Sequence, residues 1–245
     1  MHPSEIILLI ALIGVLPTYL YISSAKTERA LIADPSLKIK TYIETIVMQW
    51  IPTLAILILL YHGLLSVTDM KFGFTVSLLP LGISAVVILI IGYFILSVLS
   101  VKKNKAEQEK MYKNWDLIRW FLPTTKSETA WFIFGLSVTA GICEEIIFRG
   151  YLLNFMANYM PIYVAALLSS LAFGLCHAYQ GSIHILRTAI VGLIMAGVYI
   201  MADSLIVTII LHAGMDIYGG ALWYVVSKNQ SSQKSSETAD NTHFR

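Results

Sequence analysis

The sequence predicts an all-α protein, a multi-pass bundle of about seven transmembrane helices. Three observations carry that prediction. Charged residues make up 13% of the chain and hydrophobic ones 57%, against about 25% charged in a soluble domain. Apolar runs of the roughly 17–25 residues needed to cross a bilayer recur along the chain. Lys and Arg gather on alternate connections between those runs, the asymmetry that sets orientation in a membrane.

The runs cover residues 6–22, 45–65, 76–101, 130–151, 162–177, 188–201 and 205–226, with the fourth and fifth free to extend further. The sixth is short enough to be re-entrant. A break at Gly219-Gly220 would divide the seventh and make eight spans. The small residues Ser23-Ser24-Ala25 follow the first run as they would follow a signal peptide. No Lys or Arg precedes it, so it reads as a true span.

Orientation follows from the basic residues. Residues 23–44 hold Lys26, Arg29, Lys38 and Lys40, and residues 102–127 hold Lys102, Lys103, Lys105, Lys110, Lys113, Arg119 and Lys126. Arg187 lies in 178–187, and Lys228, Lys234 and Arg245 lie in the tail. Together these are 15 of the 17 basic residues. With seven spans, this places the N-terminus outside and the C-terminus in the cytoplasm.

Four regions result. Residues 1–101 form a three-span N-terminal region with few polar groups, in which His62 reads as a packed or interfacial histidine. Residues 102–127 form a basic, helix-prone cytoplasmic connector whose Trp115 and Trp120 rest at the membrane interface. Thr125 and Glu128 have capping-box spacing, so the fourth helix starts near Lys126. Residues 128–226 form a helix bundle that carries the polar motifs, and the polar stretch 227–245 reads as a disordered tail. In the fifth span, Ala165/Ser169 and Ala166/Ser170 predict close helix packing. The net charge of +2 does not suggest a nucleic-acid partner. Cys143 and Cys176 have neither disulfide-framework nor zinc-ribbon spacing.

The motif AGICEEIIFRG, residues 140–150, places three ionisable groups in an apolar stretch. Each costs about 2.5–3.5 kcal/mol at the centre of a membrane helix on insertion scales. Glu145 and Arg149 are four apart and can pair. Glu144 points about 100° away from Glu145, so Arg149 can neutralise Glu145 and leave Glu144 available as a general base. LAFGLCH puts Phe173 and His177 on one face of the fifth helix. LHAGMD puts His212 and Asp216 on one face of the seventh, with the small Ala213 and Gly214 between them. Each motif alone could be structural. Glu144, His177, His212 and Asp216 on three spans, facing a shared interior, form a set able to activate water. The fourth helix must run well past Arg149, toward Tyr159, for Glu144 and His177 to meet, and Pro161 is a natural stop.

In order and spacing, EEIIFR, FGLCH and HAGMD resemble the motifs of the CAAX-protease and bacteriocin-processing (CPBP) intramembrane endopeptidases. The resemblance covers roughly residues 125–220. It implies an integral membrane peptidase, expected in a bacterial cell membrane, that acts on a peptide or membrane-protein substrate. It assigns water activation to Glu144 and His177, stabilisation of the tetrahedral intermediate to His212 with Asp216, and the shaping of the site to Glu145 and Arg149. Where the eukaryotic branch has Asn, this chain has Asp216. An ionised Asp only accepts hydrogen bonds, so its expected task is to orient His212. No cofactor is expected. Zinc held by two histidines and a carboxylate is the rival mechanism, but no H-E-x-x-H motif is present. A membrane transporter and a non-catalytic scaffold are the rival functions. Confinement of the polar groups to one half argues against a transporter, and the intact motifs argue against a scaffold.

Overall fold

Backbone groups in lipid have no water to bond to, so apolar runs satisfy them internally as helices. The computed structural model describes residues 2–66, 70–114 and 119–242, and every long element among them is helical. We label the helices α1 (Pro3–Ala33), α2 (Pro35–Tyr61), α3 (Leu78–Lys103), α4 (Lys105–Asn114), α5 (Lys126–Ala157), α6 (Ile162–Cys176), α7 (Ser182–Ala202) and α8 (Leu205–Thr242). Six of them are long and apolar enough to cross a membrane, and α6 is a shorter apolar helix of 15 residues.

The all-α, multi-pass class is as predicted, but several boundaries moved. The fifth run ends as a helix at Cys176. His177 leaves helical geometry at φ −102°, ψ 13°, and Gly181 turns the chain at φ +104°, a conformation that favours glycine. The sixth run is not short: α7 adds Ser182–Arg187 ahead of it and reaches 21 residues. Gly219-Gly220 does not break α8, and Gly220 lies against Phe132, where a Cβ would come 2.5 Å from the ring. The expected loop 23–44 shrinks to a turn at Asp34–Leu37, where the Asp34 carboxylate accepts from the Ser36 N–H at 3.0 Å. Lys26 and Arg29 sit on the last turns of α1, long enough to reach polar surroundings. The α8 backbone stays helical to Thr242, through most of the tail expected to be disordered. Extending a formed helix avoids the cost of nucleation. Trp115 lies outside the described residues.

Thr125 caps α5 as predicted: its hydroxyl accepts from the Glu128 N–H at 3.2 Å, while Glu128 reaches back to the Thr125 N–H. The helix then runs unbroken to Ala157, with wider π-type turns at Trp131–Ser137 and Ile146–Leu153 on either side of the Glu144-Glu145 pair. Such turns are rare and often accompany functional sites.

The core forms around the second half of α5. Ile146, Ile147, Phe148 and Tyr151–Leu153 pack with Leu8 and Leu12 of α1, Ile56 of α2, Phe173 of α6, Tyr199 of α7 and Leu205 of α8. Polar contacts pin the two ends of the bundle. At one end, Lys71 pairs with Asp203, Thr75 Oγ1 donates to Asp203 Oδ2 at 2.7 Å, and the Leu205 N–H donates to the Lys71 carbonyl at 2.8 Å. At the other, Lys38 Nζ donates to the Leu122 carbonyl at 2.7 Å, and the Tyr42 hydroxyl donates to that of Phe121 at 2.6 Å. These contacts put the connections α2–α3 and α7–α8 at one end of the bundle and α1–α2 and α4–α5 at the other.

Candidate functional site

The short α6 brings the first two motifs together. Glu144 lies about 20 Å along α5 from its Ala157 end, and His177 lies about 22 Å along α6 from Ile162, at 1.5 Å per residue. Those two ends are joined by the turn 158–161, so the motifs come to similar depth. His177 Nδ1 lies 3.0 Å from the Phe173 carbonyl. A carbonyl only accepts, so Nδ1 carries a hydrogen and donates it, leaving Nε2 the nitrogen free of that bond.

Phe173 organises the site. Its ring lies 4.8 Å from His177, packs edge-on against His212 at 6.0 Å, and lies under the Arg149 guanidinium at 4.8 Å. Gly192 of α7 faces Phe173, where a Cβ would come within 3.1 Å of the ring, and its carbonyl accepts from Arg149 Nη2 at 2.8 Å.

Arg149 Nη1 donates to Glu145 Oε1 at 2.7 Å, and both side chains are shut off from solvent. The same oxygen accepts from His212 Nδ1 at 2.6 Å. Glu145 therefore bridges α5, through Arg149, to α8. The carboxylate can only accept, so His212 is held with hydrogen on Nδ1 and with Nε2 facing the remaining acids. Glu144 Oε2 lies 3.7 Å from that Nε2, and Asp216 Oδ2 lies 3.9 Å from it.

Asp216 thus lies beside His212, but the bond that orients the ring comes from Glu145. Asp216 feels the charges of His212, Glu144, His177 and Glu145, so all four sequence motif groups share one electrostatic neighbourhood. Close approach of α5 to α8 makes this possible. A Cβ on Gly141 would sit 2.8 Å from both the Cβ and the backbone nitrogen of Ala213. Gly214, the other small residue of that motif, faces Ile91 of α3.

The remaining sequence candidates lie aside. His62 caps the end of α2, edge-on to Tyr61 at 5.3 Å. Cys143 and Cys176 are buried and free, the former touching Thr53. Among the described residues, no three His, Cys, Asp or Glu side chains are grouped to hold a metal ion.

Sequence reasoning missed one contributor. Gln49 of α2 donates from Nε2 to Glu144 Oε1 at 2.9 Å. A lone amide in the apolar stretch TIVMQWIPTL was the available signal, with nothing in the sequence to say which helix it would face.

Residues 126–218 match the family model for Type II CAAX prenyl endopeptidase Rce1-like proteins. The matched region holds all three motifs and agrees with the family they resemble. A search of curated proteins found no match, and a search of solved structures found none.

Proposed function

Starting from a region, residues 126–218, that matches an Rce1-like membrane protease family, we propose that this chain is an intramembrane endopeptidase whose Glu144 and His177 activate water directly. The observation that carries this reading is the unequal placement of the adjacent glutamates. Glu145 is consumed by Arg149 and His212, whereas Glu144 keeps one oxygen facing His212 Nε2 across 3.7 Å.

In this mechanism, water is held between Glu144 and the lone pair of His177 Nε2. Glu144 takes one proton, and the resulting hydroxide adds to the scissile carbonyl carbon. With hydrogen on both ring nitrogens, His212 donates from Nε2 to the oxyanion. Glu144 then returns its proton to the departing amine, and the C–N bond breaks. Arg149 and Glu145 keep the His212 ring in place, and Asp216 lends negative charge beside it. No metal takes part. A C-terminal CAAX-type peptide is the first substrate class, and a bacteriocin-type leader the second. The N-terminus faces outward and the connector 102–127 faces the cytoplasm.

The experiment is a cleavage assay of the purified full chain in lipid nanodiscs. It uses prenylated and unprenylated CAAX peptides and leader-type peptides, with and without prolonged chelation. Cleavage that survives metal removal and disappears in Glu144→Ala is the expected result. Cleavage of no peptide overturns the peptidase reading, and full cleavage by Glu144→Ala overturns Glu144 as the base. Activity lost with stoichiometric zinc and restored by adding it back overturns the metal-free mechanism.

A further inference from the structure

We infer that Gln49, from the part of the chain outside the family match, is a positioning residue that holds the Glu144 carboxylate in its working orientation. The inference rests on the reading of Glu144 as the base. The two oxygens of Glu144 have different neighbours: Oε1 accepts from Gln49 Nε2 at 2.9 Å, and Oε2 lies 3.7 Å from His212 Nε2. The terminal torsion of a glutamate is broad. A donor fixed on one oxygen therefore decides where the other points. The amide orientation is dictated by chemistry, because a carboxylate accepts only from the amino end of Gln49.

Gln49 is itself held. Its backbone carbonyl accepts from Thr53 Oγ1 at 2.8 Å, and Thr53 is fully buried. The Thr53 hydroxyl also meets Cys143, the residue before Glu144. Pro52 lies between them inside α2 and has no N–H to give the preceding turn. The side-chain bond from Thr53 lies one residue along from the carbonyl that Pro52 leaves without its donor, and Thr53 meets α5 at Cys143. Gln49 Oε1 is buried with no hydrogen-bond partner among the described residues, on the same amide that meets Glu144. Arg149, Glu145 and Phe173 orient His212, and nothing in the matched region restrains Glu144 in the same way. The N-terminal spans thereby supply a part of the site that the three motifs lack.

A polar residue that merely ties two membrane helices together would affect stability and leave turnover alone. The test separates the two roles in the full chain, in nanodiscs. Gln49→Met keeps length and removes the donor. It is expected to lower kcat about ten- to a hundredfold with KM near the wild-type value, the scale of a misplaced catalytic group. Gln49→His keeps an N–H at similar reach and is expected to recover part of that loss. A thermal-stability cycle of Gln49→Met, Glu144→Ala and the double variant reads the contact without any substrate, and is expected to be non-additive. An unchanged kcat in Gln49→Met, or a loss confined to KM and Tm, overturns the positioning role. An additive cycle overturns the contact. A wild-type protein that cleaves no peptide overturns the peptidase reading instead, and the non-additive cycle distinguishes that failure from the others.

Discussion

His212 Nδ1 lies 2.6 Å from Glu145 Oε1, joining α8 to α5 across 67 positions of sequence. Because Arg149 shares that oxygen, Glu145 is both an ion-pair partner and the group that orients a candidate oxyanion donor. The two neighbouring glutamates should fail differently. Glu144→Gln is expected to keep its fold and lose peptidase activity. Glu145→Gln leaves a buried guanidinium without its counter-ion, at about 3–5 kcal/mol, and also loosens His212. It should lower both Tm and kcat. Thermal melts with parallel kinetics on both variants check this; equal loss of Tm in the two would contradict it.

Gly141 and Ala213 are in backbone contact, with no space for another carbon between them. Gly141→Ala is expected to destabilise the bundle by about 1–3 kcal/mol, the cost of overpacking. By prising α8 from α5, it should also reduce activity more than Gly219→Ala, a change at a glycine with open space around it. Comparable melts and rates for the two variants would show that the close approach is unimportant.

Asp203 sits outside the spans in a left-handed turn, φ 49°, paired with Lys71 and Thr75. Hydrogen bonds from Lys71, then Thr75, hold its carboxyl below the ordinary range. A depressed carboxyl stabilises the fold above its unfolded value of about 3.9, and that stability is lost as pH falls through the lower folded value. The pair is more than a third exposed, so the effect is small, about 1 kcal/mol or less. Asp203→Asn, which tolerates the same turn, should melt lower than wild type at pH 7. The gap should close as pH falls through the lowered folded value. A gap independent of pH would mean the charge is irrelevant.

Fifteen of the 17 basic residues fall on one side of the predicted topology. Lys105→Cys, at the start of α4, should therefore be labelled by a membrane-impermeant maleimide only after cells are permeabilised. Ready labelling of intact cells would invert the orientation.

Much of this protein was legible before any coordinates. Low charge and long apolar runs leave a chain in lipid no option but helices that satisfy their own backbone. The capping box at Thr125–Glu128 is a local interaction, so it could be read from four residues. Spacing of four along a helix also announced the Glu145–Arg149 pair. Boundaries such as the end of α1 and the length of α7 were misjudged because long basic side chains do not stop a helix. Their charges can reach water from its last turn.

The sequence by itself determined which residue types carry the chemistry and which helix each one rides on, because helical periodicity is a property of neighbours in the chain. Only the tertiary structure decided who faces whom. Glu145 rather than Asp216 bonds to His212, and Gln49, nearly a hundred positions away, holds Glu144. The reason is physical: a buried carboxylate takes whichever donor the packed helices bring within about 3 Å. That distance depends on close approaches such as Gly141 against Ala213: the small Ala213 announces room for a neighbour, but which backbone fills it is decided only by the packing.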